Sequence, residues 1–379
     1  MNRCAIIVTD QLLLPAWSGN RVRILNIIRA LRGLGWRVVL VTVQQNKASD
    51  LRGVIDRVFY VKGQTFLGGD LSGFDTRPFS WVLAEVAALL QPAMVIAEYA
   101  WLAPAMLPLP RAVLRCVDCH DVLSERTARF RAAGLDPWVV CTPELERALL
   151  GCADVLIAIQ HREAGLLERL VPGKRVVCLL PHIELPANFQ RTSPDAPLVL
   201  AVGANHAGNE GIRRFALSHW PRVLEKVPEA RLRIVGRIGE GLGTLPGVEV
   251  LGTVTDLFGH YASAAVVVCP VEVGTGAKIK TLEALRHGRA VVATAEAVEG
   301  FPAARHPAWL MEETLEGCAR TIPDLLADPA ARDKLEDAAF AYGEQHLSVA
   351  AFLTHLRPLL PGWLRMSLAA LTAQVCKPA

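Results

Sequence analysis

The sequence lacks an uninterrupted apolar run long enough to cross a membrane, although its mean hydropathy of +0.30 is high for a soluble protein. The best candidate, residues 81–110, is interrupted by Glu85, Glu98 and several prolines. Because a spanning helix needs about 20 apolar residues, we expect none. The apolar surplus instead indicates strands that are buried on both faces, as in a parallel sheet.

A strong excess of charge of one sign is also lacking. The 40 Lys and Arg residues are balanced by 37 Asp and Glu residues, which leaves a formal net charge of +3. So small an excess argues against a nucleic-acid partner, and ordinary Gly and Pro usage excludes collagen-like and disordered classes. The apolar segment 4–9 is short and is followed by Asp10, so we expect no secretion signal and a cytoplasmic protein.

Metal-binding patterns are scarce. Cys116-Val-Asp-Cys119-His120 matches the spacing of covalent haem attachment, but that chemistry needs export, and no second cysteine pair supports a zinc site. On a strand, residues 116 and 119 would also point to opposite faces. We therefore interpret the 9 cysteines as structural thiols. The sequence contains no Asp-x-Asp motif, so a metal that neutralises a diphosphate would lack those ligands.

Short β-rich runs alternate with helical segments in two series. Strands are predicted at residues 4–9, 37–43, 58–61, 93–98, 111–118, 154–159 and 175–180, then at 198–203, 231–236, 248–252, 265–270 and 290–294. Helices are predicted over 20–35, 211–226, 277–287 and 313–343. The polar, Pro-rich segment 184–197 separates the series. We predict two doubly wound α/β domains that face a central cleft, where such sheets bind ligands.

The strongest local motif is PVEVGTGAKIKTLEALRHGRAVVAT at residues 270–294. A buried strand leads into Gly274 and Gly276, and a helix follows. Glycines let the backbone approach a ligand closely, and the free N–H groups at a helix start favour an anion. With Lys278 and Lys280 alongside, the motif predicts a diphosphate site. The alternative is an ordinary helix entry with solvated lysines.

This motif resembles the C-terminal signature of the GT-B glycosyltransferases of family four, which are retaining enzymes that use sugar nucleotides. The segments PAWSGNRVRILNIIRALRGLGWRVVLVT, VDCHDVLSER and VLAVGANHAGNEGIRRF resemble further parts of the family, in the family's order. The resemblance implies two Rossmann-like domains: an acceptor-binding domain at 1–185 and a nucleotide-sugar-binding domain at 186–350. A helical tail at 351–379 is expected to pack back on the first domain.

The resemblance also implies roles for particular residues. Glu283 would bind the ribose hydroxyls of the donor, and His120 and Lys278 would be the catalytic residues that meet the donor sugar and its phosphates. Gly19 would let the acceptor or the diphosphate approach the first domain. The remaining residues expected to bind the donor are Gly203, Arg237, Gly274, Thr275, Gly276 and Lys280.

Two departures from the family's pattern stand out. The family commonly has two glutamates separated by seven residues. The first of them would fall at Thr275, and the nearby Glu272 is out of register. Many members also carry an Arg and a Lys on the donor phosphates, where residues 205–209 here read NHAGN. We expect Arg237, the two loop lysines and helix N-termini to compensate the phosphate charge.

Two arginines and the tail complete the expectations. Arg23 and Arg126 lie near the implied site but are expected to be solvated helix residues. The tail over residues 350–379 mixes apolar side chains with Arg357, Arg365 and Lys377. Packing on the first domain is favoured, and peripheral contact with the inner face of a membrane is the alternative.

Together these features predict a metal-independent, retaining glycosyltransferase that needs no cofactor. It would move a sugar from a nucleotide-sugar donor, with a UDP-sugar favoured over a GDP-sugar, to a glycan, lipid-linked or small-molecule acceptor. Two alternatives stay open. A sugar-nucleotide epimerase shares the architecture but needs more acid and base groups in the cleft, and a catalytically silent GT-B subunit would bind a nucleotide or a partner.

Overall fold

The computed structural model describes residues 3–15, 18–43, 46–191, 194, 196–303 and 305–360. The strands of this part of the chain are β1 (Cys4–Thr9), β2 (Arg37–Val43), β3 (Arg57–Val61), β4 (Gly69–Asp70), β5 (Met94–Glu98), β6 (Leu114–Asp118), β7 (Val139–Val140), β8 (Val155–Ala158), β9 (Arg175–Cys178), β10 (Leu198–Val202), β11 (Arg231–Val235), β12 (Val248–Gly252), β13 (Val266–Cys269), β14 (Ala290–Thr294) and β15 (Leu310–Glu312).

The helices of the same residues are α1 (Gly19–Gly33), α2 (Arg77–Leu90), α3 (Leu123–Ala132), α4 (Pro143–Leu150), α5 (His161–Leu170), α6 (Glu210–Arg214), α7 (Trp220–Lys226), α8 (Phe258–Ser263), α9 (Ile279–Arg286), α10 (Leu315–Ala327), α11 (Pro329–Leu347) and α12 (Val349–Leu356). A π-helical turn at Phe215–His219 joins α6 to α7.

Two parallel sheets organise the chain. The first has the order β3-β2-β1-β5-β6-β8-β9, and the second has the order β12-β11-β10-β13-β14-β15. The direction of winding reverses between β1 and β5 in the first sheet and between β10 and β13 in the second. In such sheets ligands bind outside the carboxyl ends of the strands at the reversal. The structure thus confirms two doubly wound domains and marks where a ligand is expected.

Much of the sequence's excess of apolar residues lies in the buried parallel strands. Every residue of β1 is buried, and successive side chains enter two cores on opposite faces of the first sheet. Cys116 and Cys119 likewise lie in different cores, as the strand geometry predicts. Among the described residues, no helix is both long enough and apolar enough to cross a membrane.

Residues 81–110 form no single long helix, as expected: they contain most of α2, all of the predicted strand β5 and a 3-10 turn at Ala100–Met106. Elements that the sequence prediction did not include are the short strands β4, β7 and β15 and the helices α2 to α5 and α8. The helix predicted over 313–343 is two helices, because the Asp328 side chain caps Ala331 N and Pro329 begins α11. Proline suits the first turn of a helix, where its missing N–H would have no partner within the helix.

The end of the described chain returns to the first domain. Phe352, Leu353 and Leu356 of α12 are buried in the same core as Ala5 and Ile7 of β1. Helix α11 packs in the second domain, so α12 closes the chain across the cleft. The membrane interpretation rests partly on residues 361–379, which lie outside the described residues.

Candidate active site

The ends of β5 and β6 place three polar side chains side by side. Glu98 and Asp118 are paired terminal residues of these strands, and His120 follows with a φ of 54°. His120 Nε2 lies 2.7 Å from Glu98 Oε2 and 3.5 Å from Asp118 Oδ2. A left-handed backbone at a non-glycine residue is uncommon and is concentrated at functional sites. Here it turns the imidazole back over the ends of the two strands.

Arg23 completes this network. Its Nε and Nη2 atoms each donate to Asp118 at 2.7 Å, and Nη1 donates to Leu179 O at 2.7 Å. The expectation that Arg23 is a solvated helix residue is therefore wrong, since its side chain is only 1% exposed. It is buried beside Asp118 because a buried carboxylate needs a partner of opposite charge.

The same carboxylates could in principle ligate a cation. Ligand atoms of Glu98, Asp118 and His120 lie within 4.8 Å of one another. However, the guanidinium of Arg23 already contacts both Asp118 oxygens and supplies positive charge there. We therefore interpret the three residues as a hydrogen-bonded network. Burial raises the pKa of Glu98 well above its usual range, against the opposing effect of the His120 hydrogen bond.

A cavity of about 300 Å³, here called the His120 cavity, opens beside this network. Tyr99 stacks on the His120 ring with centroids 4.2 Å apart, and Trp101 stacks on the other side of Tyr99 at 4.1 Å. Trp138 also lines the cavity and remains 42% exposed. The cavity therefore joins an imidazole, held in an aromatic stack, to the partly exposed ring of Trp138.

Arg126 brings positive charge to the His120 cavity. Its Nη1 atom lies 3.3 Å from Asp121 Oδ2 and 3.4 Å from Thr275 Oγ1. The guanidinium packs over the Phe130 ring at 4.4 Å, and Nε donates to Pro137 O at 2.9 Å. The solvated role expected for Arg126 is thus wrong, since the side chain is fixed between the two domains.

The glycine loop of the second domain faces these residues. Gly276 has a φ of 67°, and a Cβ there would lie 3.3 Å from His120 O. The Thr275 hydroxyl donates to Asp121 Oδ2 at 2.8 Å, and the Gly276 N–H donates to Glu163 Oε1 at 2.6 Å. Carboxyl groups of the first domain therefore hold the loop directly.

The two loop lysines lie elsewhere. Lys278 Nζ is buried 3.1 Å from Glu296 Oε1, and Lys280 Nζ donates to Asn209 Oδ1. Neither side chain lines the His120 cavity. Lys278 was expected to contact the donor, but its ammonium faces Glu296 instead. Burial lowers the pKa of Lys280 to about 8. Gly274 is also turned away, with its carbonyl accepting from Arg129 at 3.0 Å.

A second cavity of about 370 Å³, here called the Glu283 cavity, lies on the other side of the loop. Gly203 and Arg237 line it together with Glu283, and Val254 and Leu257 add apolar surface. Tyr261 Oη donates to Glu283 Oε2 at 2.7 Å. Burial raises the pKa of Glu283 to about 7. The cavity therefore combines apolar walls with two carboxyl groups, those of Glu283 and Asp256.

One contact between the domains separates the cavities. Gly19, at the start of α1, and Ile279, at the start of α9, line both of them. A Cβ on Gly19 would come within 2.8 Å of Ile279 Cγ1. The two cavities are therefore neighbouring parts of one cleft, and only glycine fits at the contact without displacing Ile279.

The structure thus divides the predicted residues into four groups. Gly203, Arg237 and Glu283 share one cavity, His120, Thr275 and Gly276 share the other, and Gly19 touches both. Gly274, Lys278 and Lys280 line neither of the two cavities. Sequence reasoning missed several residues that belong to the site: Glu98, Tyr99, Asp121, Arg126 and Glu163. The available signal was the position of Glu98 at the end of β5 and of Asp121 three residues after the end of β6.

Family models match both halves of the chain. The model described as "Glycosyl transferase 4-like domain" covers residues 18–182, and the model described as "Glycosyl transferases group 1" covers residues 196–328. No curated protein matches the sequence.

Solved structures share the fold along nearly the whole chain. A sucrose-phosphate synthase from Thermosynechococcus elongatus aligns with a TM-score of 0.73 and 16% identity, over 94% of this chain and 98% of that one. A glycosyltransferase from Rickettsia africae gives 0.70 and 14%, over 97% and 100%. HepE from Anabaena, in complex with UDP-glucose, gives 0.65 and 16%, over 94% and 98%.

At these identities the structural likeness shows the fold alone, and the family models add the family. The prediction of a GT-B fold is confirmed, and glycosyl transfer is the activity that the matched families share. The chain belongs to the GT-B glycosyltransferases of group 1.

Proposed function

We propose that this glycosyltransferase moves a sugar from a UDP-sugar to the hydroxyl group of a glycan, lipid-linked or small-molecule acceptor, with retention of the anomeric configuration. The observation that carries the proposal is the pair of cavities that meet at Gly19 and Ile279. One cavity has apolar walls and two carboxyl groups, which suits a nucleoside, and the other has an imidazole and aromatic rings, which suits a sugar.

The nucleoside belongs in the Glu283 cavity. A carboxylate can accept hydrogen bonds from the two ribose hydroxyls at once. Tyr261 Oη donates a hydrogen bond to Glu283 Oε2 at 2.7 Å and fixes the glutamate side chain. Val254 and Leu257 provide apolar surface for the base. The choice of uridine rests on HepE, whose structures contain UDP and UDP-glucose.

The donor sugar belongs beside His120. From there the diphosphate would cross the contact between Gly19 and Ile279 to reach the nucleoside. The Thr275–Gly276 loop borders that path, and Arg126 adds a positive charge to it. These groups can stabilise the charge that builds on the leaving phosphate, because fixed donors in a partly desolvated cleft need no reorganisation.

We further propose that the reaction needs no metal ion and no cofactor. Arg126 supplies positive potential that a metal would otherwise provide, and Lys280, whose ammonium donates to Asn209 Oδ1, adds to it. Lys278 then acts through the loop, since its ammonium contacts Glu296 and its own loop's Gly276 carbonyl.

Retention is proposed from the similarity of residues 270–294 to the family-four signature. The bond from the anomeric carbon to the leaving phosphate breaks as the acceptor oxygen attacks from the same face. A phosphate oxygen takes the acceptor's proton, so UDP leaves and no separate base is needed. An inverted product would contradict this step and would instead make His120, backed by Glu98, the base.

The test is to incubate the purified protein with UDP- and GDP-sugars and to measure both nucleotide release and the anomeric configuration of the product by NMR. The proposal expects release of UDP and a retained configuration once an acceptor is supplied. Binding of UDP without release or transfer would favour the catalytically silent subunit. Conversion of the sugar within the nucleotide-sugar would favour an epimerase.

A further inference from the structure

Two carboxyl groups of the first domain hold the glycine loop of the second. Glu163, in the first turn of α5, accepts the Gly276 N–H at 2.6 Å, and Asp121 accepts the Thr275 hydroxyl at 2.8 Å. The loop is therefore attached to the other domain through two consecutive residues. Both contacts cross the cleft, so they exist only when the domains are close together.

The two carboxyl groups also contact each other. Glu163 lies within hydrogen-bonding reach of Asp121. The second oxygen of each group, Glu163 Oε2 and Asp121 Oδ1, is buried and finds no donor among the described residues. Two ionised carboxylates can only repel, whereas a pair that shares one proton gains the hydrogen bond that both oxygens lack.

Nearby charges do not remove the need for this proton. Lys278 faces Glu163 from the loop but is paired with Glu296, and Arg126 contacts Asp121 Oδ2, the oxygen already bonded to Thr275. The other titratable groups that face Glu163 are Cys119, after β6, and Cys178, at the end of β9. Burial raises the pKa of Glu163 well above its usual range, and the Asp121 charge adds to the effect.

We propose that Glu163 is a positioning residue for the donor: it keeps a proton that it donates to Asp121, and the pair holds Thr275 and Gly276 in place across the closed cleft. This inference rests on the proposed function, in which the loop borders the donor's diphosphate. Loss of the shared proton would drive the two carboxylates apart and release the loop. Donor binding should therefore weaken as the pH rises.

Glu163→Gln separates this role from simple packing. Glutamine has nearly the same shape, its carbonyl oxygen can still accept the Gly276 N–H, and its amide hydrogens permanently replace the shared proton. Glu163→Ala removes the contact altogether. Glu168→Gln is the matched control, since Glu168 is exposed on the same helix.

The experiment measures donor KM and kcat for these proteins between about pH 6 and about pH 9. We expect the wild-type KM to rise about tenfold over this range with a smaller change in kcat, the Gln variant to stay flat, and the control to follow wild type. The Ala variant should have a raised KM throughout. A Gln profile that follows wild type, or an Ala variant that binds donor more tightly, would overturn the proposal.

Amide hydrogen exchange of the full-length protein, followed on peptides that cover residues 270–280, gives a readout without substrate. In wild type the loop should lose protection at high pH relative to the Gln variant, whose measurement corrects for the intrinsic pH dependence of exchange. If no sugar nucleotide is a substrate but the loop responds in this way, the proposed function fails and the shared proton stands. Equal protection in the two proteins at every pH would refute the shared proton.

Discussion

Gly19 of the first domain lies directly against Ile279 of the second, where a Cβ on the glycine would come within 2.8 Å of Ile279 Cγ1. Gly19 opens α1, which carries Arg23, and Ile279 opens α9, which carries Glu283. The contact therefore limits how closely the two domains can approach each other between the His120 cavity and the Glu283 cavity.

Gly19→Ala should impair donor binding without loss of stability. The backbone of Gly19 is helical, so alanine favours the helix, but its methyl group must displace Ile279 when the cleft is closed. We expect the donor KM to rise about tenfold while the melting temperature stays level or increases. Gly165→Ala, inside α5, is the control, because a Cβ on Gly165 would meet only Arg169 Nη1, at an ordinary contact distance of 3.5 Å. Unchanged kinetics in Gly19→Ala would show that the contact does not limit closure.

Glu283→Gln should make the protein more stable at high pH. Folding raises the pKa of Glu283 from 4.5 to about 7, so between these values the folded state binds more protons than the unfolded state. Stability from this group is complete below the unfolded pKa and is lost as the pH rises through the folded pKa. Glutamine cannot ionise and avoids that loss.

Urea unfolding at about pH 5 and about pH 8 measures this effect. The free energy of unfolding of Glu283→Gln, minus that of wild type, should be greater at the higher pH by about 1–3 kcal/mol. Glu229→Gln, an exposed residue, should show no such difference. Equal values for Glu283→Gln at both pH values would mean that the carboxyl group is hydrated in the folded protein.

Thr275→Glu should damage the site even though it restores the glutamate common in the family. Asp121 accepts from Thr275 at 2.8 Å, and Glu163 accepts from the next residue, so a glutamate would add a third carboxyl group to this buried pair. We expect at least a tenfold loss in kcat/KM together with a lower melting temperature. Thr275→Gln adds the same volume without the charge and should be milder. Wild-type activity in Thr275→Glu would contradict the arrangement of these three residues.

Phe352→Ala should destabilise the first domain, although Phe352 follows the second domain in sequence. Its ring is buried in the core that includes Ala5 and Ile7 and contacts His182 with centroids 4.5 Å apart. We expect a loss of about 3 kcal/mol in chemical unfolding. Thr354→Ala, on the exposed face of α12, should cost much less. Equal effects would mean that α12 does not pack as described.

Local patterns in the sequence were enough to predict the longer strands, the domain class and the loop at 270–279, but not the short strands β4, β7 and β15. Apolar runs such as β1 and glycines between a strand and a helix need no information from distant residues. Gly19 and Glu283, which both line the cleft, were predicted for the same reason, since each lies in a segment with a recognisable local pattern.

The electrostatics of the cleft could not be predicted in this way. Arg23 is 95 residues from Asp118, and Glu163 is 113 residues from Gly276, so nothing local pairs them. Whether Arg23, Lys278 or Arg126 is solvated depends on which carboxylate the fold brings beside it. In the structure Lys278 pairs with Glu296, and Arg126 lies in the cleft. The loop motif alone favours Lys278 in the cleft and gives no reason to place Arg126 there.

Binding of UDP and turnover of a UDP-sugar, measured side by side in wild type, Glu283→Ala and His120→Ala, test the central claim that the cleft divides nucleoside from sugar. We expect Glu283→Ala to weaken UDP binding in calorimetry at least tenfold. His120→Ala should bind UDP within about threefold of wild type but lose about 100-fold in kcat. Equal UDP affinity in wild type and Glu283→Ala, or a loss of UDP binding in His120→Ala, would contradict that division.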